Sequence, residues 1–174
     1  SSETISAPGN NLPQARARLA ATSSNSYGYF GGGFAPPFVD TIDRIDFSNE
    51  TTSAPGNNLV FSRSFIGALS SSDYGYFAGG YKTPPFSGNA YDSIDRINFI
   101  NETISSTPNS GRLPVSRYGV AATSSSAYGY FGGGRSSAFY HSLVDRIEFS
   151  TDTTSAPGNN LPQARYAFDA VSSN

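Results

Sequence analysis

The sequence predicts an all-β chain in which one four-stranded unit repeats along the length, and three observations predict it. The stretch Tyr27-Gly28-Tyr29-Phe30-Gly31-Gly32-Gly33 returns as Tyr74-Gly75-Tyr76-Phe77-Ala78-Gly79-Gly80 and again as Tyr128-Gly129-Tyr130-Phe131-Gly132-Gly133-Gly134. Aromatic residues running into glycines describe a strand that ends in a sharp backbone turn. A second motif ends in Arg16, Arg63, Arg117 and Arg165, with steps of 47, 54 and 48 residues (63 minus 16, 117 minus 63, 165 minus 117). Third, charged residues make up only 14% while Gly, Ser, Thr, Asn and Tyr abound, a profile that suits turn-rich sheets. A helical reading fails because no window carries a 3.6-residue apolar period and Gly and Pro interrupt throughout.

In chain order, Glu3-Thr4-Ile5-Ser6-Ala7 reads as a short strand from its β-prone Thr and Ile. Pro8-Gly9-Asn10-Asn11 follows, and recurs as Pro55-Gly56-Asn57-Asn58 and Pro157-Gly158-Asn159-Asn160. Pro sets φ near about -65° and Gly accepts the positive φ that a type II turn needs next. The third copy, Pro108-Asn109-Ser110-Gly111, is altered but keeps turn chemistry. After each arginine comes a small-residue strand: Leu19–Thr22, Ile66–Leu69, Val120–Thr123 and Phe168–Val171. A Ser/Asn/Asp turn leads into the aromatic-glycine strand, where Gly28 beside Phe30 lets a neighbouring sheet approach closely. Loops of unequal length follow, from Gly33 to Asp43, Gly80 to Asp95 and Gly134 to Asp145.

A third strand then begins at Ile42-Asp43-Arg44-Ile45-Asp46-Phe47, Ile94-Asp95-Arg96-Ile97-Asn98-Phe99 and Val144-Asp145-Arg146-Ile147-Glu148-Phe149. Apolar residues on both of its faces fit a sheet held between two others. A turn such as Ser48-Asn49-Glu50 reaches a fourth, Thr-rich strand, Thr51-Thr52-Ser53-Ala54, and the cycle restarts. One repeat domain therefore spans 1–174, with units over about 16–62, 63–116 and 117–164 and partial units over 1–15 and 165–174. With 174 residues divided among repeats, the core should be a series of layers.

Other properties exclude function classes. The net charge of -2 supplies no field for nucleic acid or an anionic membrane surface. No apolar run is long enough to span a bilayer, and there is no secretory signal pattern. Cysteine is absent, which excludes disulfides and thiolate metal sites. Methionine is absent too, including at position 1, so a trimmed chain or a piece of a longer one is expected.

The order of arginine, small strand, aromatic strand with glycines, third strand with an aspartate and then a fourth strand resembles the kelch repeat. The resemblance covers nearly the whole chain, carried by the four arginines, by Gly31-Gly32, Gly79-Gly80 and Gly132-Gly133, and by the spacing between them. It departs where the family has a tryptophan on the fourth strand: this chain has none and places Thr52-Ser53-Ala54 there. The wording Asp-Arg-Ile, Asn-Glu-Thr, Leu-Pro-x-x-Arg and Tyr-Phe-Gly-Gly-Gly is similar to kelch-like repeat proteins of marine, cyanobacterial bacteriophages. The resemblance implies kelch-like β-propeller blades forming a segment of a larger propeller, or blades combined from several chains.

Candidate sites follow. The Asp-Arg pairs 43–44, 95–96 and 145–146 cannot each form one site, because adjacent strand residues face opposite ways. They and the four recurring arginines are expected to be structural, bonded to loop carbonyls or to a carboxylate of a neighbouring unit. The glycine runs lack the Lys-Ser/Thr and the helix of a phosphate loop. His141, the single histidine, lacks partners for a metal site, and a triad with Ser142 lacks the strand-turn-helix nucleophile context. Asn49-Glu50-Thr51 and Asn101-Glu102-Thr103 match the glycosylation acceptor pattern and should lie on exposed turns.

The unequal loops are the candidate binding surface, through Phe34, Phe38, Tyr81, Lys82, Phe86, Tyr91, Arg135, Phe139 and Tyr140. Aromatic platforms with few charges suit sugar rings or protein partners. The competing reading has these rings capping the units by packing on each other and on Pro36, Pro37, Pro84 and Pro85. The expected role is a non-enzymatic structural and binding module of an extracellular particle, a phage virion-associated or host-adsorption protein. Its partners would be other virion or surface proteins or a host glycan, with no cofactor, no metal, no nucleic acid and no membrane insertion. A cellular kelch-type interaction scaffold in the cytoplasm and a secreted lectin are the alternatives.

Overall fold

A computed structural model describes residues 6–7, 9–82, 90–107 and 111–172. Among these residues there are three four-stranded antiparallel sheets and no helix. The first sheet holds β1 (Ala20–Ser23), β2 (Tyr27–Gly31), β3 (Ile42–Asp46) and β4 (Thr52–Ser53). The second holds β5 (Gly67–Ser70), β6 (Tyr74–Ala78), β7 (Ile94–Asn98) and β8 (Ile104–Ser106). The third holds β9 (Ala121–Ser124), β10 (Tyr128–Gly132), β11 (Val144–Glu148) and β12 (Thr153–Ser155). In each, strands neighbour one another in chain order, and the register repeats: Tyr29 lies opposite Arg44, Tyr76 opposite Arg96 and Tyr130 opposite Arg146.

The turns explain the repetition. Between the first and second strand of each unit a serine hydroxyl accepts from a tyrosine N–H, Ser24 from Tyr27 (3.0 Å), Ser71 from Tyr74 (3.1 Å) and Ser125 from Tyr128 (3.2 Å). Between the third and fourth strand an acidic residue takes the left-handed conformation, Glu50 (φ 57), Glu102 (φ 56) and Asp152 (φ 55). The glycines of the predicted Pro-Gly turns take positive φ, 88, 92 and 95 at Gly9, Gly56 and Gly158, while Pro8 and residues 108–110 of the altered copy lie outside the described residues.

The sheets stack in chain order, with the small-residue strands β1, β5 and β9 side by side. Thr22 Oγ1 donates to the Leu69 carbonyl across one seam at 2.9 Å. Close approach explains the glycine inside the aromatic strand: a Cβ at Gly129 would sit 2.7 Å from the Leu69 side chain of the preceding sheet. The core is layered, as expected. One layer contains Tyr29, Ile42, Leu59, Ile66, Phe77 and Ile97, and the next contains Leu69, Tyr76, Ile94, Leu113, Val120, Phe131 and Ile147. Leu59 and Leu113 come from the segment after each fourth strand, which fills the seam between units.

Some boundaries differ from expectation. The first strand of each unit starts one residue later than read, because pairing to the aromatic strand begins at Ala20, Gly67 and Ala121. Phe168–Val171, read as a strand, is not one. The fourth strands are short, with β4 only two residues long. Most of the N-terminal strand read at Glu3–Ala7 lies outside the described residues.

Candidate binding surface

The repeated charges form the scaffold that holds the surface. Arg16, Arg63 and Arg117 each reach the third strand of their own unit and pair with Asp43, Asp95 and Asp145. Both side chains of the Arg63–Asp95 pair are fully buried, at 2.7 Å. Arg63 also donates to the carbonyls of Gly79, Phe77 and Ser93 and to Ser93 Oγ, while Asp95 accepts from the Val60 N–H and the Ser106 hydroxyl. Burial pushes the Arg63 guanidinium downward, and Asp95 offsets this.

Arg44 and Arg96 point the other way, to carboxylates of the following unit. Arg44 donates to Glu102 at 2.5 Å, and Arg96 pairs with Asp152. The same acids accept from Tyr29 (3.1 Å) and Tyr76 (3.0 Å). The two rings also stack on the next unit's Phe99 and Phe149, at 5.5 and 5.4 Å between centroids. Each seam is therefore a Tyr-Arg pair meeting a Phe-acid pair. The structural role expected of these charges is met by Arg16, Arg63, Arg117, Arg44 and Arg96, whereas Arg165 donates to the Gln163 carbonyl and Arg146 to the Ser155 hydroxyl and neither reaches a carboxylate among the described residues. Glu102 was read only as part of an exposed turn, yet it is half-buried and joins two units. Asn49 and Asn101 beside it are exposed, each accepting from the threonine two residues on.

Burial, with the Glu102 and Asp152 charges and hydrogen bonds, raises the Tyr29 and Tyr76 phenols well above the ordinary value of about 10. A raised folded value means their contribution to stability is intact below pH of about 10 and is lost as pH rises toward the folded values. In an alkaline titration followed by phenolate absorbance, these two rings should ionise late and together with unfolding. Tyr29→Phe and Tyr76→Phe should each remove one phenol from that late step.

At one end of the stacked sheets the scaffold presents a row of rings. Phe34, Tyr81 and Arg135 each follow a glycine run, and each bridges back to the residue after the buried arginine: Ala17, Ser64 and Tyr118. From there the rings run Phe34–Phe38 (5.1 Å), Phe38–Tyr81 (5.9 Å), Tyr81–Tyr118 (5.0 Å), Tyr118–Tyr166 (6.3 Å) and Tyr166–Tyr140 (5.2 Å). Phe65 packs on Tyr118 at 5.9 Å. The Arg18 guanidinium lies over Phe65 at 4.7 Å, and that of Arg135 over Tyr140 at 5.2 Å. Arg18, Phe65, Tyr81, Tyr118, Arg135 and Tyr166 line a shallow hollow of about 160 Å³. That lining carries two guanidinium groups and no carboxylate.

A backbone ladder beneath the row sets its geometry. Phe65 N–H donates to the Arg18 carbonyl (3.0 Å), Gly119 to Phe65 (2.7 Å) and Ala167 to Gly119 (2.9 Å). All four donor and acceptor residues are left-handed, with φ of 60, 54, 64 and 53 at Arg18, Phe65, Gly119 and Ala167. A bulky residue such as Phe65 rarely adopts this conformation, and each such residue costs about 1–3 kcal/mol that the surrounding structure must outweigh.

Of the predicted site residues, Phe34, Phe38, Tyr81, Arg135 and Tyr140 belong to the row. Phe38 and Tyr81 are buried in it, so they support it and only part of the predicted set faces solvent. Phe139 is 68% exposed on the hairpin before Tyr140. Tyr91 and Lys82 form a separate cluster, in which Tyr91 stacks on Phe61 at 5.1 Å and the Lys82 ammonium sits 4.9 Å from the Tyr91 ring centre. Phe86, with Pro84 and Pro85, lies outside the described residues. Arg18, Phe65, Tyr118 and Tyr166 were missed. Their signal was present: the two positions after each recurring arginine read Ala-Arg, Ser-Phe, Tyr-Gly and Tyr-Ala, so the copies diverge there as they do after the glycines.

His141 Nε2 meets Ser136 Oγ at 3.0 Å, and burial with the nearby Arg117 charge lowers its pKa. Ser142 is not its partner among the described residues. No group of three potential metal ligands occurs among those residues, and no helix there is long and apolar enough to cross a membrane. Comparison with protein-family models gives no match to this chain, and comparison with curated proteins gives none.

Proposed function

We propose that the chain is a non-enzymatic binding module of an extracellular particle, a bacterial virus in the first place, in which kelch-like propeller blades present a ring-lined face to a surface glycan. One observation carries the reading: residues from four successive repeats, at the positions where the copies stop agreeing, converge on one aromatic row flanked by Arg18 and Arg135. Aromatic faces stack on the C–H face of a sugar ring, and guanidinium groups pair with carboxylates. The hollow therefore suits an acidic sugar, such as a uronic or sialic acid unit, better than a neutral one.

Immobilised acidic oligosaccharides should retain the chain, and their neutral counterparts should retain it less. Tyr166→Ala and Arg135→Ala should each weaken retention about tenfold, the equivalent of about 1.4 kcal/mol. Equal retention of neutral and acidic sugars, or no loss in either variant, would remove the reading. The particle assignment is checked separately, by copurification with virions in fixed copy number.

A second reading, a protein-interaction scaffold of a virion or a cell, is favoured by a different patch. Val60 and Phe61 are 46% and 42% exposed beside Tyr91, an apolar group of the kind that centres a protein interface. Under that reading the partner is lost on Phe61→Ala and kept on Arg135→Ala.

A further inference from the structure

We propose that His141 is an acid-operated latch: its neutral imidazole holds the hairpin 135–140 against the third unit, and its protonation releases that hairpin. The hairpin supplies Arg135 and Tyr140 to the aromatic row, so the effect on binding rests on the reading of that row as an acidic-sugar site.

The main chain and one side chain hold the hairpin at its base. Arg135 bridges to Tyr140, the Ser136 N–H donates to the Phe139 carbonyl (3.0 Å), and the His141 N–H donates to the Gly134 carbonyl (2.9 Å). Among the described residues, its one side-chain hydrogen bond joins His141 Nε2 and Ser136 Oγ at 3.0 Å. The tip is exposed from Ser137 to Tyr140.

Val39 and Tyr91 hold the place of His141 in the other two units. Their N–H groups donate to the Gly33 and Gly80 carbonyls, and their carbonyls accept from the Arg63 and Arg117 N–H groups, as the His141 carbonyl accepts from Arg165. The Tyr91 ring centre lies 5.8 Å from the buried Arg63 guanidinium. His141 is the matching neighbour of Arg117, and there the buried cation is less well satisfied. Arg63 Nη1 donates to the Gly79 and Ser93 carbonyls and to Ser93 Oγ. Leu143 stands where the second unit has Ser93, and Arg117 Nη1 is buried with no hydrogen-bond partner among the described residues.

The charges that act on the imidazole are Arg117, from the segment before β9, and Asp145, from β11, which pair with each other. Arg165 bonds to His141 through its main chain, while its side chain turns to Gln163 and Phe168. Arg135, on the hairpin itself, lies over Tyr140. Burial and Arg117 disfavour the imidazolium, and Asp145 offsets only part of this. An imidazole in water protonates at about pH 6.5. Because the closed hairpin holds His141 below that value, its contribution to closure is intact above pH of about 6.5 and is lost as pH falls further. The imidazolium is relieved of Arg117 by moving into water, and the hairpin moves with it.

The chain has one histidine, so a pH titration followed by NMR reads its imidazole protons without ambiguity. The midpoint should lie below about 6.5, and the amide signals of Ser136 and Tyr140 should shift with the same midpoint. In His141→Gln, which keeps a neutral hydrogen-bonding side chain, those amides should hold their positions across the range. Retention of the wild type on an immobilised oligouronate, whose carboxylates stay ionised, should fall at least threefold between about pH 7.5 and pH 5.5. Retention of His141→Gln should not fall. Thermal melting checks that this variant is folded; if it is not, His141→Tyr, the residue of the second unit, takes its place. A midpoint at or above about 6.5, or hairpin amides that do not follow it, overturns the latch whether or not a sugar binds. Retention that falls equally in the wild type and the variant overturns its control of binding. Hairpin amides that follow the midpoint in a chain retained at no pH uphold the latch and remove the sugar reading instead.

Discussion

Arg63→Ala should destabilise the fold by about 3–5 kcal/mol, the cost of leaving one partner of a buried ion pair uncompensated. The variant leaves the Asp95 carboxylate in a fully buried position and removes the donor to the Gly79, Phe77 and Ser93 carbonyls. For a chain of this length the melting temperature should fall by roughly 10 °C, since 1 kcal/mol corresponds to about 2–4 °C. Arg63→Lys should recover only part of this, because one ammonium cannot reproduce the planar fork that serves Asp95 and the carbonyls together. The exposed pair Arg112–Asp92 is the control: its side chains are 60% and 36% exposed, and Arg112→Ala should cost under about 1 kcal/mol. Thermal melts of the three variants check the ranking, and comparable shifts for Arg63→Ala and Arg112→Ala would contradict it.

Gly32→Ala is the second change with a large expected effect, about 3 kcal/mol. Gly32 has φ 65, and an added Cβ would lie 2.6 Å from the Arg63 carbonyl oxygen and 2.5 Å from the Ile66 side chain. The left-handed conformation accounts for about 1–2 kcal/mol of the cost. Overpacking against a fixed backbone oxygen adds about 1–3 kcal/mol. Gly56→Ala separates the two contributions, because Gly56 also has positive φ (92) but nothing within 4 Å of its Cβ position. It should show the conformational cost alone. Chemical denaturation of both variants measures the difference, and equal losses would mean that close approach between units is not what requires Gly32.

Much of the architecture was legible in the sequence because each signal is local. The Pro-Gly pairs specify positive-φ turns, the aromatic-glycine runs specify a strand and its end, and the recurring arginine gives the period. Strand alternation also made it legible that Asp43 and Arg44 face opposite ways and that Arg44 reaches a carboxylate of a neighbouring unit, but not that Asp43 meets Arg16 of its own unit. Glu102 was not legible as a seam residue. Its partners Tyr29 and Arg44 lie 73 and 58 residues away, and only the way one sheet stacks on the next brings them together. Strand ends shifted for the same reason, because ladder pairing rather than residue type decides where a strand begins.

The candidate binding surface was half legible. Loops of unequal length drew attention to Phe34, Phe38, Tyr81, Arg135 and Tyr140. Arg18, Phe65, Tyr118 and Tyr166 were hidden because they sit beside the arginine of an apparently regular motif. The left-handed ladder of Arg18, Phe65, Gly119 and Ala167 beneath them depends on hydrogen bonds between successive repeats that no local pattern encodes. Tyr81 and Phe38 look like free platforms in the sequence, yet the neighbouring rings bury them.

The recurring residues hold the units together, and under the proposed function the residues that vary between copies carry the binding. Melting temperature and retention on an immobilised acidic oligosaccharide, measured together on the double variant Arg135→Ala/Tyr166→Ala, separate these two roles. Both side chains lie at the surface end, away from the two core layers. The melt should stay close to that of the wild type while retention is lost. Retention preserved in a folded double variant, or lost only in step with the melting temperature, would contradict it.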